Sequence, residues 1–145
     1  KLNNGNPLGD LDYTLRGIPN HHQALNSMMN YQLDKNNAAG LRRSGKPTIA
    51  CYLNRAINFS TKDHVPPMLL GILYAKKALF TKALEKYKSA EQLAPENSGL
   101  HYNLGLLYLK MDNEEDALIH AKKAYKLGYP LQGLKKKLTK SGVWN

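Results

Sequence analysis

"HYNLGLLYLKMDNEEDALIHAKKAYKLGYP" occupies residues 101–130. Its apolar residues recur at helical spacing on either side of a polar break, which predicts two amphipathic helices back to back. The break itself reads as a helix start. Asn113 is placed to cap, and Glu114, Glu115 and Asp116 fall in the first turn, where the helix dipole favours acids. The two helices carry more apolar surface than a single pair can hide. A second covering layer is therefore required.

The same pattern stands once more upstream. Leu104-Gly105-x-x-Tyr108 has a twin in Leu70-Gly71-x-x-Tyr74, and the two glycines are 34 residues apart. Ala117, Ala121 and Ala124 correspond to Ala83, Tyr87 and Ala90 at the same interval. Pro95 closes the earlier unit, and the later one has Tyr129 in that place with Pro130 one residue on. This pattern and period resemble the tetratricopeptide repeat (TPR) family. The resemblance implies an all-α fold, a right-handed α-solenoid of helix hairpins in which each hairpin covers its neighbour's second apolar face. The glycines suit that role. Gly inside a helix costs about 1 kcal/mol relative to Ala, so its presence points to two axes crossing where no side chain fits. Ala83 and Ala117 supply the matching small surface, and Tyr74 and Tyr108 fill the space beside it.

On this reading residues 1–145 form a single TPR domain. Residues 10–19 are the second helix of an earlier repeat, residues 20–61 a divergent repeat with an inserted loop at 34–46, residues 64–97 and 98–129 two full repeats, and residues 130–141 a capping helix. In the divergent repeat, Asn20 and Gln23 form a capping box, and Ala24, Leu25, Met28 and Met29 are the buried stripe of the first helix. Pro47 opens the second helix, with Ile49, Leu53, Ala56 and Ile57 facing inward. "GDLDYTLRGIP" places Leu11, Leu15 and Ile18 on one stripe, with Asp12 and Arg16 four residues apart. At the other end Leu131, Leu134 and Leu138 share one side of a helix. Lys135, Lys136, Lys137 and Lys140 occupy the rest, as a terminal cap requires, and Trp144 is expected to fold back onto it.

Composition narrows the class further. The chain has 145 residues, enough for one proper core, and its longest apolar run, "MLLGILYA" at 68–75, is too short to cross a bilayer. "KLNNGNPLGD" has no initiator Met and no apolar core, so a processed product, or a chain whose start has been removed, is expected. Net charge is +10, and the seven lysines after Ala117, with no Asp or Glu among them, leave only +3 for residues 1–116. Such an end is either a solvated face or an attractor of anionic partners. The single cysteine, Cys51, excludes an internal disulfide framework and a cysteine-based zinc site.

Stretches outside the generic repeat, "GDLDYTLRGIPNHHQAL", "CYLNRAINF", "YNLGLLYL" and "AYKLGYP…GLKKKL…GVW", also resemble a family of uncharacterised exported bacterial TPR proteins from Gly9 to Trp144. This resemblance implies a signal peptide, an additional N-terminal region, and a periplasmic or cell-envelope location. It also implies that Cys51 pairs with a cysteine in that region or stays free. Gly17-Ile18 departs from the alanine-aromatic pair more usual in the family, without consequence for the fold. No activity carries over.

The chemical candidates are few. His21 and His22 are adjacent on a helix and diverge by about 100°, so they cannot clamp one ion; locally bonded helix-start histidines are expected, and no metal or cofactor. Cys51 lies in an apolar helical stretch and reads as an inert core residue or half of a disulfide. No nucleophile-base arrangement, phosphate-binding loop or carboxylate pair stands out, so the chain is read as non-enzymatic, with no small-molecule substrate. The expected working surface is the concave face lined by the first helix of each pair. Asn26 and Asn30 lie there from the divergent repeat, Met68, Ile72 and Lys76 from the next, and Tyr102, Asn103, Leu106 and Lys110 from the last. Asparagine amides pair with an extended peptide backbone and lysines attract carboxylates, which points to a peptide or protein partner. Some TPR domains grip a C-terminal carboxylate; Asn103 matches one position of that clamp, but its full set is missing, and that ligand is not assigned. The alternatives are attraction of an anionic polymer or membrane surface by the lysine-rich C-terminal end, and self-association through the N-terminal repeat.

Overall fold

The computed structural model describes residues 5–145. The first residues of "KLNNGNPLGD", 1–4, on which the reading of the chain start partly rests, lie outside the described residues. Among the described residues the regular structure is helical: α1 (Pro7–Gly17), α2 (His22–Leu33), a 3₁₀ turn (Lys35–Asn37), α3 (Ala38–Ser44), α4 (Ile49–Phe59), α5 (Val65–Lys76), α6 (Phe80–Leu93), α7 (Ser98–Lys110), α8 (Glu114–Lys126) and α9 (Gly133–Lys140). None of these helices is long and apolar enough to cross a membrane. The chain divides into two compact units, Lys1–Leu70 and Gly71–Asn145, with the boundary inside α5.

In the first unit α1 packs against α2, and α2 against α4. Leu15, Leu25, Met28, Met29, Leu53 and Ala56 are buried here, as their helical phase requires. Ile18 departs from its expected stripe: it is the C-cap of α1, beyond the last helical turn, and is exposed. The helix starts also differ from the sequence reading. His21, not Asn20, caps α2, its Nδ1 accepting from the Ala24 N–H at 3.2 Å, while the Asn20 amide donates to Asp63 at 3.4 Å. Gln23 then falls too early to close a capping box. Thr48, not Pro47, precedes α4, and its hydroxyl accepts from the Cys51 N–H.

Residues 34–46 are not a plain loop. Asp34 accepts from the Asn36 N–H at 2.9 Å to start the 3₁₀ turn, and the Asn37 amide donates to the Tyr31 carbonyl at 3.0 Å. "AAGLRRS" then forms α3, which ends at Gly45 with a left-handed φ of 64°. Gln32 holds the base of this insertion together. Its Oε1 accepts from the Ile49 N–H at 2.6 Å, and its Nε2 donates to the Pro47 carbonyl at 2.9 Å.

Asp12 is the polar anchor of this unit. It is only 3% exposed, yet Tyr52 donates to its Oδ1 at 2.5 Å, and Lys46 (2.5 Å) and Arg16 (3.0 Å) both reach its Oδ2. Burial alone raises a carboxyl pKa. Here the bonds from Lys46 and Tyr52, with the Arg16 charge, overcome it and hold Asp12 below its ordinary value. The i, i+4 pair of Asp12 and Arg16 is thus one edge of a four-residue network centred on a buried carboxylate.

The second unit carries the repeat. A Cβ added to Gly105 would lie 3.3 Å from the Ala117 carbonyl oxygen and 3.6 Å from the Ala121 nitrogen, so the α7 and α8 backbones touch directly. At Gly71 the same atom would enter the ring of Tyr87, the residue that stands where Ala121 stands in the later unit. Ala83, Ala90, Ala117, Ala121 and Ala124 are all fully buried. The turns match as well. Ala78 and Asp112, 34 residues apart, both have a φ of 57°, and in each case the following N–H (Leu79, Asn113) bonds to the carbonyl of Tyr74 or Tyr108 at 2.9 Å. This is a Schellman closure repeated in register. Asn113 caps α8 by accepting from the Asp116 N–H at 3.1 Å.

Helix α9 packs against α7 and α8, burying Leu134 and Leu138. Leu131 departs from its expected face; it precedes the helix and is exposed. Trp144 does fold back, meeting Tyr125 edge-on at 5.7 Å, with the Lys135 ammonium 5.3 Å from its ring centre.

Three outcomes follow for stability. Gly71→Ala forces a rigid buried ring to move and is expected to cost about 1–3 kcal/mol in urea unfolding, whereas Gly40→Ala in α3, with open space around it, costs nothing. Ala78→Gly removes left-handed strain from a residue with a Cβ and is expected to stabilise by about 1 kcal/mol. Asp12→Ala leaves the Tyr52 hydroxyl unpaired and is expected to cost about 1–3 kcal/mol at neutral pH. Because the folded pKa of Asp12 lies below its ordinary 3.8, the stabilisation is complete above that value and is lost as pH falls through the folded pKa. The gap between wild type and Asp12→Ala should therefore close in acid; a gap constant down to strongly acidic pH contradicts this account.

Candidate functional site

Of the residues assigned to the working face, Met68 is half-buried on α5 and does not line the recess described below, and the others fall into three groups. Asn26 and Asn30 are exposed on α2 in the first unit. Lys76, Asn103 and Lys110 come together in the second unit, at a recess of about 270 Å³ lined also by Ile72, Ala75, Tyr87, Leu106, Leu107 and Lys137. Tyr102 is not among the lining residues. It is buried, its ring 4.2 Å from Tyr129 in a near-parallel stack and edge-on to Tyr125.

The recess has an apolar floor and a basic, hydrogen-bonding rim. Ile72 comes from α5 and the adjacent Leu106 and Leu107 from α7, while Lys76 and Lys110 sit at the last turns of the same helices. Lys137 was read as part of the outward face of α9, but its position brings a third ammonium to the rim. Lysine stems pack on apolar surface while their charged ends stay in water, so three of them crowd one rim without a buried charge. No carboxylate is among the lining residues.

A second constellation was not found from sequence. His101 on α7 and His120 on α8 are buried and meet through their Nδ1 atoms at 2.9 Å. Their rings are within 21° of parallel with centres 5.2 Å apart. That separation exceeds the N···N distance by about twice the centre-to-atom radius of an imidazole, so the nitrogens lie on the line between the centres. The rings meet head-on in a shared plane, not face to face. His101 Nε2 lies 2.7 Å from the Pro95 carbonyl, which can only accept, so His101 carries its proton on Nε2 and His120 donates through Nδ1–H.

Glu91 on α6 closes the group, its Oε1 at 3.7 Å from His101 Nδ1 and 4.0 Å from His120 Nδ1. Lys88 donates to the other oxygen, Oε2, at 3.0 Å. Burial would raise the Glu91 pKa, but the Lys88 hydrogen bond and charge hold it low. Burial pushes His120 down to about 4, outweighing the attraction of Glu91, so its imidazole is neutral at neutral pH. These residues are far apart in sequence and lie on three helices, so no local motif joins them. A usable signal was present: His120 interrupts the Ala117, Ala121, Ala124 stripe at a position whose phase is buried.

The remaining candidates resolve simply. His22 Nε2 contacts Asp63 Oδ2 at 2.6 Å across 41 residues, so only His21 of the pair bonds locally. Cys51 is exposed and not a core residue, since the inward stripe of α4 is Ile49, Tyr52, Leu53 and Ala56.

Comparison with known proteins agrees with the hairpin geometry. Residues 71–112 match the family model described as TPR repeat. Over 68 residues, 47% of this chain and 13% of the relative, the sequence is 35% identical to the "BBSome complex member BBS4" of Bos taurus. Among solved structures, "MamA MSR-1 C2" aligns over 81% of this chain and 63% of its own with a TM-score of 0.56, and "MamA AMB-1 P212121" over 84% and 63% with a TM-score of 0.54. Both are 20% identical, a likeness that speaks for the fold alone. The chain spans less than two thirds of each of these proteins. The class is thus an all-α protein of solenoid-type helix hairpins. Its residues 71–112 carry the tetratricopeptide match.

Proposed function

We propose that this chain is a non-enzymatic scaffold that holds a peptide or protein partner through the face formed by the first helix of each hairpin. The recess carries the reading. Lys76, Lys110 and Lys137 offer three cations with no lining carboxylate to neutralise them, Asn103 offers both a donor and an acceptor, and Ile72 and Leu106 offer apolar contact. An extended segment with acidic and apolar side chains complements all three. Tetratricopeptide proteins in general mediate protein–protein contacts, which agrees with this reading. The cell-envelope location implied by the bacterial resemblance belongs to the same proposal, as does partner contact by Asn26 and Asn30 on the exposed side of α2 within the first unit.

The test uses an array of extended peptides, acidic and neutral, probed with the whole chain. Replacing Lys76, Asn103, Lys110 and Lys137 together by alanine is expected to weaken capture of the acidic peptides by at least about tenfold, while far-UV circular dichroism stays unchanged. Capture that is indifferent to the four substitutions overturns the assignment. A second reading, attraction of an anionic surface by α9, draws on Lys135, Lys136 and Lys140, which line a separate shallow surface. It predicts instead that reversing Lys135, Lys136 and Lys140 abolishes binding and that salt weakens it steeply.

A further inference from the structure

We propose that Glu91, His101 and His120 form a binding site for a first-row divalent metal ion of the zinc type. The three candidate ligand atoms, Glu91 Oε1, His101 Nδ1 and His120 Nδ1, are separated by 2.9, 3.7 and 4.0 Å. Ligands at about 2.0–2.1 Å around a tetrahedral zinc stand roughly 3.3 Å apart, so the observed triangle brackets the required one. Two imidazoles and one carboxylate suit zinc, copper, iron or nickel in preference to calcium or magnesium, which take oxygen donors.

What separates this group from a chance cluster is its outer layer. Metal-bound histidines characteristically donate their other ring N–H to a carbonyl or carboxylate, which fixes the tautomer and aims the free lone pair. His101 already does this, with Nε2 on the Pro95 carbonyl at 2.7 Å, leaving Nδ1 as the unprotonated atom facing the group. The carboxylate is oriented in the same way, Lys88 holding Oε2 at 3.0 Å while Oε1 faces the imidazoles. His101 has no solvent exposure, while Glu91 and His120 retain some, so entry is from their side. In the metal-free chain the ligand nitrogens share the His120 Nδ1 proton. Binding moves that proton to His120 Nε2 and tilts the two rings off their common line, and Glu91 Oε1 closes by less than an ångström. Three protein ligands leave the remaining positions to water or to a donor from outside the chain.

The site involves other residues than the recess and stands or falls independently of it. The experiment is titration of the full, metal-free chain with Co²⁺ alone, followed by displacement with Zn²⁺. One equivalent should bind with the visible absorption of a low-symmetry cobalt site, and zinc should bleach it. Glu91→Gln and His120→Gln, each checked for folding by circular dichroism, are expected to weaken binding at least about tenfold, and His22→Gln to leave it unchanged. Folding of either variant does not decide the matter alone. On the wild-type chain, adding Zn²⁺ should shift the imidazole ¹⁵N resonances of His101 and His120 and leave those of His21 and His22 in place. Absence of saturable binding, binding that survives both ligand substitutions in folded protein, or ¹⁵N shifts confined to His21 and His22 overturns the proposal.

Discussion

The direct contact of two helix backbones at Gly105 governs the second unit. Helices whose interface residues carry ordinary side chains keep their axes 8–10 Å apart; removing the side chain on one and leaving only methyls on the other lets them approach more closely. Gly105 faces the Ala117 carbonyl and the Ala121 nitrogen, and nothing larger fits. Everything bulky is displaced along the seam. Leu134 from α9 closes one side, its methyl against the open face of Gly105. One turn before Gly105 comes His101, and one residue before Ala121 comes His120, so the close approach is what lets two short imidazoles on different helices meet.

Placing two imidazoles at such a seam incurs a desolvation cost that partners must offset. Both nitrogens of His101 are used, one on the Pro95 carbonyl and one on His120. That carbonyl is free because Pro95 lies in the turn between α6 and α7, where helical hydrogen bonding is interrupted. Glu91 brings the compensating charge and is itself neutralised by Lys88. Among the described residues no buried side-chain polar atom lacks a partner. The network is thus closed at rest, and it joins the last turn of α6 and the first turn of α7 to the middle of α8, where side chains of separate elements converge.

The hairpins were legible because their rule is written in small residues at a fixed interval. Gly71 with Gly105, Ala83 with Ala117 and Ala90 with Ala124 keep the interval in sequence, and in the structure the alanines of both units are fully buried. The αL pair Ala78 and Asp112 obeys the same interval, although neither residue announces that conformation by type. What was not legible depends on choices among neighbours. Asn20 and His21 both offer a cap acceptor, and Asp63, distant in sequence, engages the asparagine. The 34–46 insertion reads as loop from its Asn, Gly and Lys content, yet an Asp34 start and a Gly45 stop enclose enough helix formers to make α3. Lys137 and Tyr102 were assigned by phase along a straight helix, but rim and core membership are decided by which helix lies opposite. The Asp12 network escaped notice because only one of its three partners, Arg16, is near in sequence.

The charge distribution connects the fold to the proposed work. In a chain of net +10, three ammonium groups around one recess repel each other. Within the same unit, other lysines find carboxylates: Lys88 has Glu91 and Lys123 has Glu96. The acids of α8 are committed to its N-terminal turn, where Asn113 and Asp116 bond to each other at 2.7 Å. Those at the recess have none among its lining residues, and their repulsion is moderated mainly by water and salt. A partner bearing carboxylates relieves that repulsion on docking while its apolar side chains cover Ile72 and Leu106. Both contributions vanish in the free chain, so the difference between free and bound states, rather than the attraction alone, favours association.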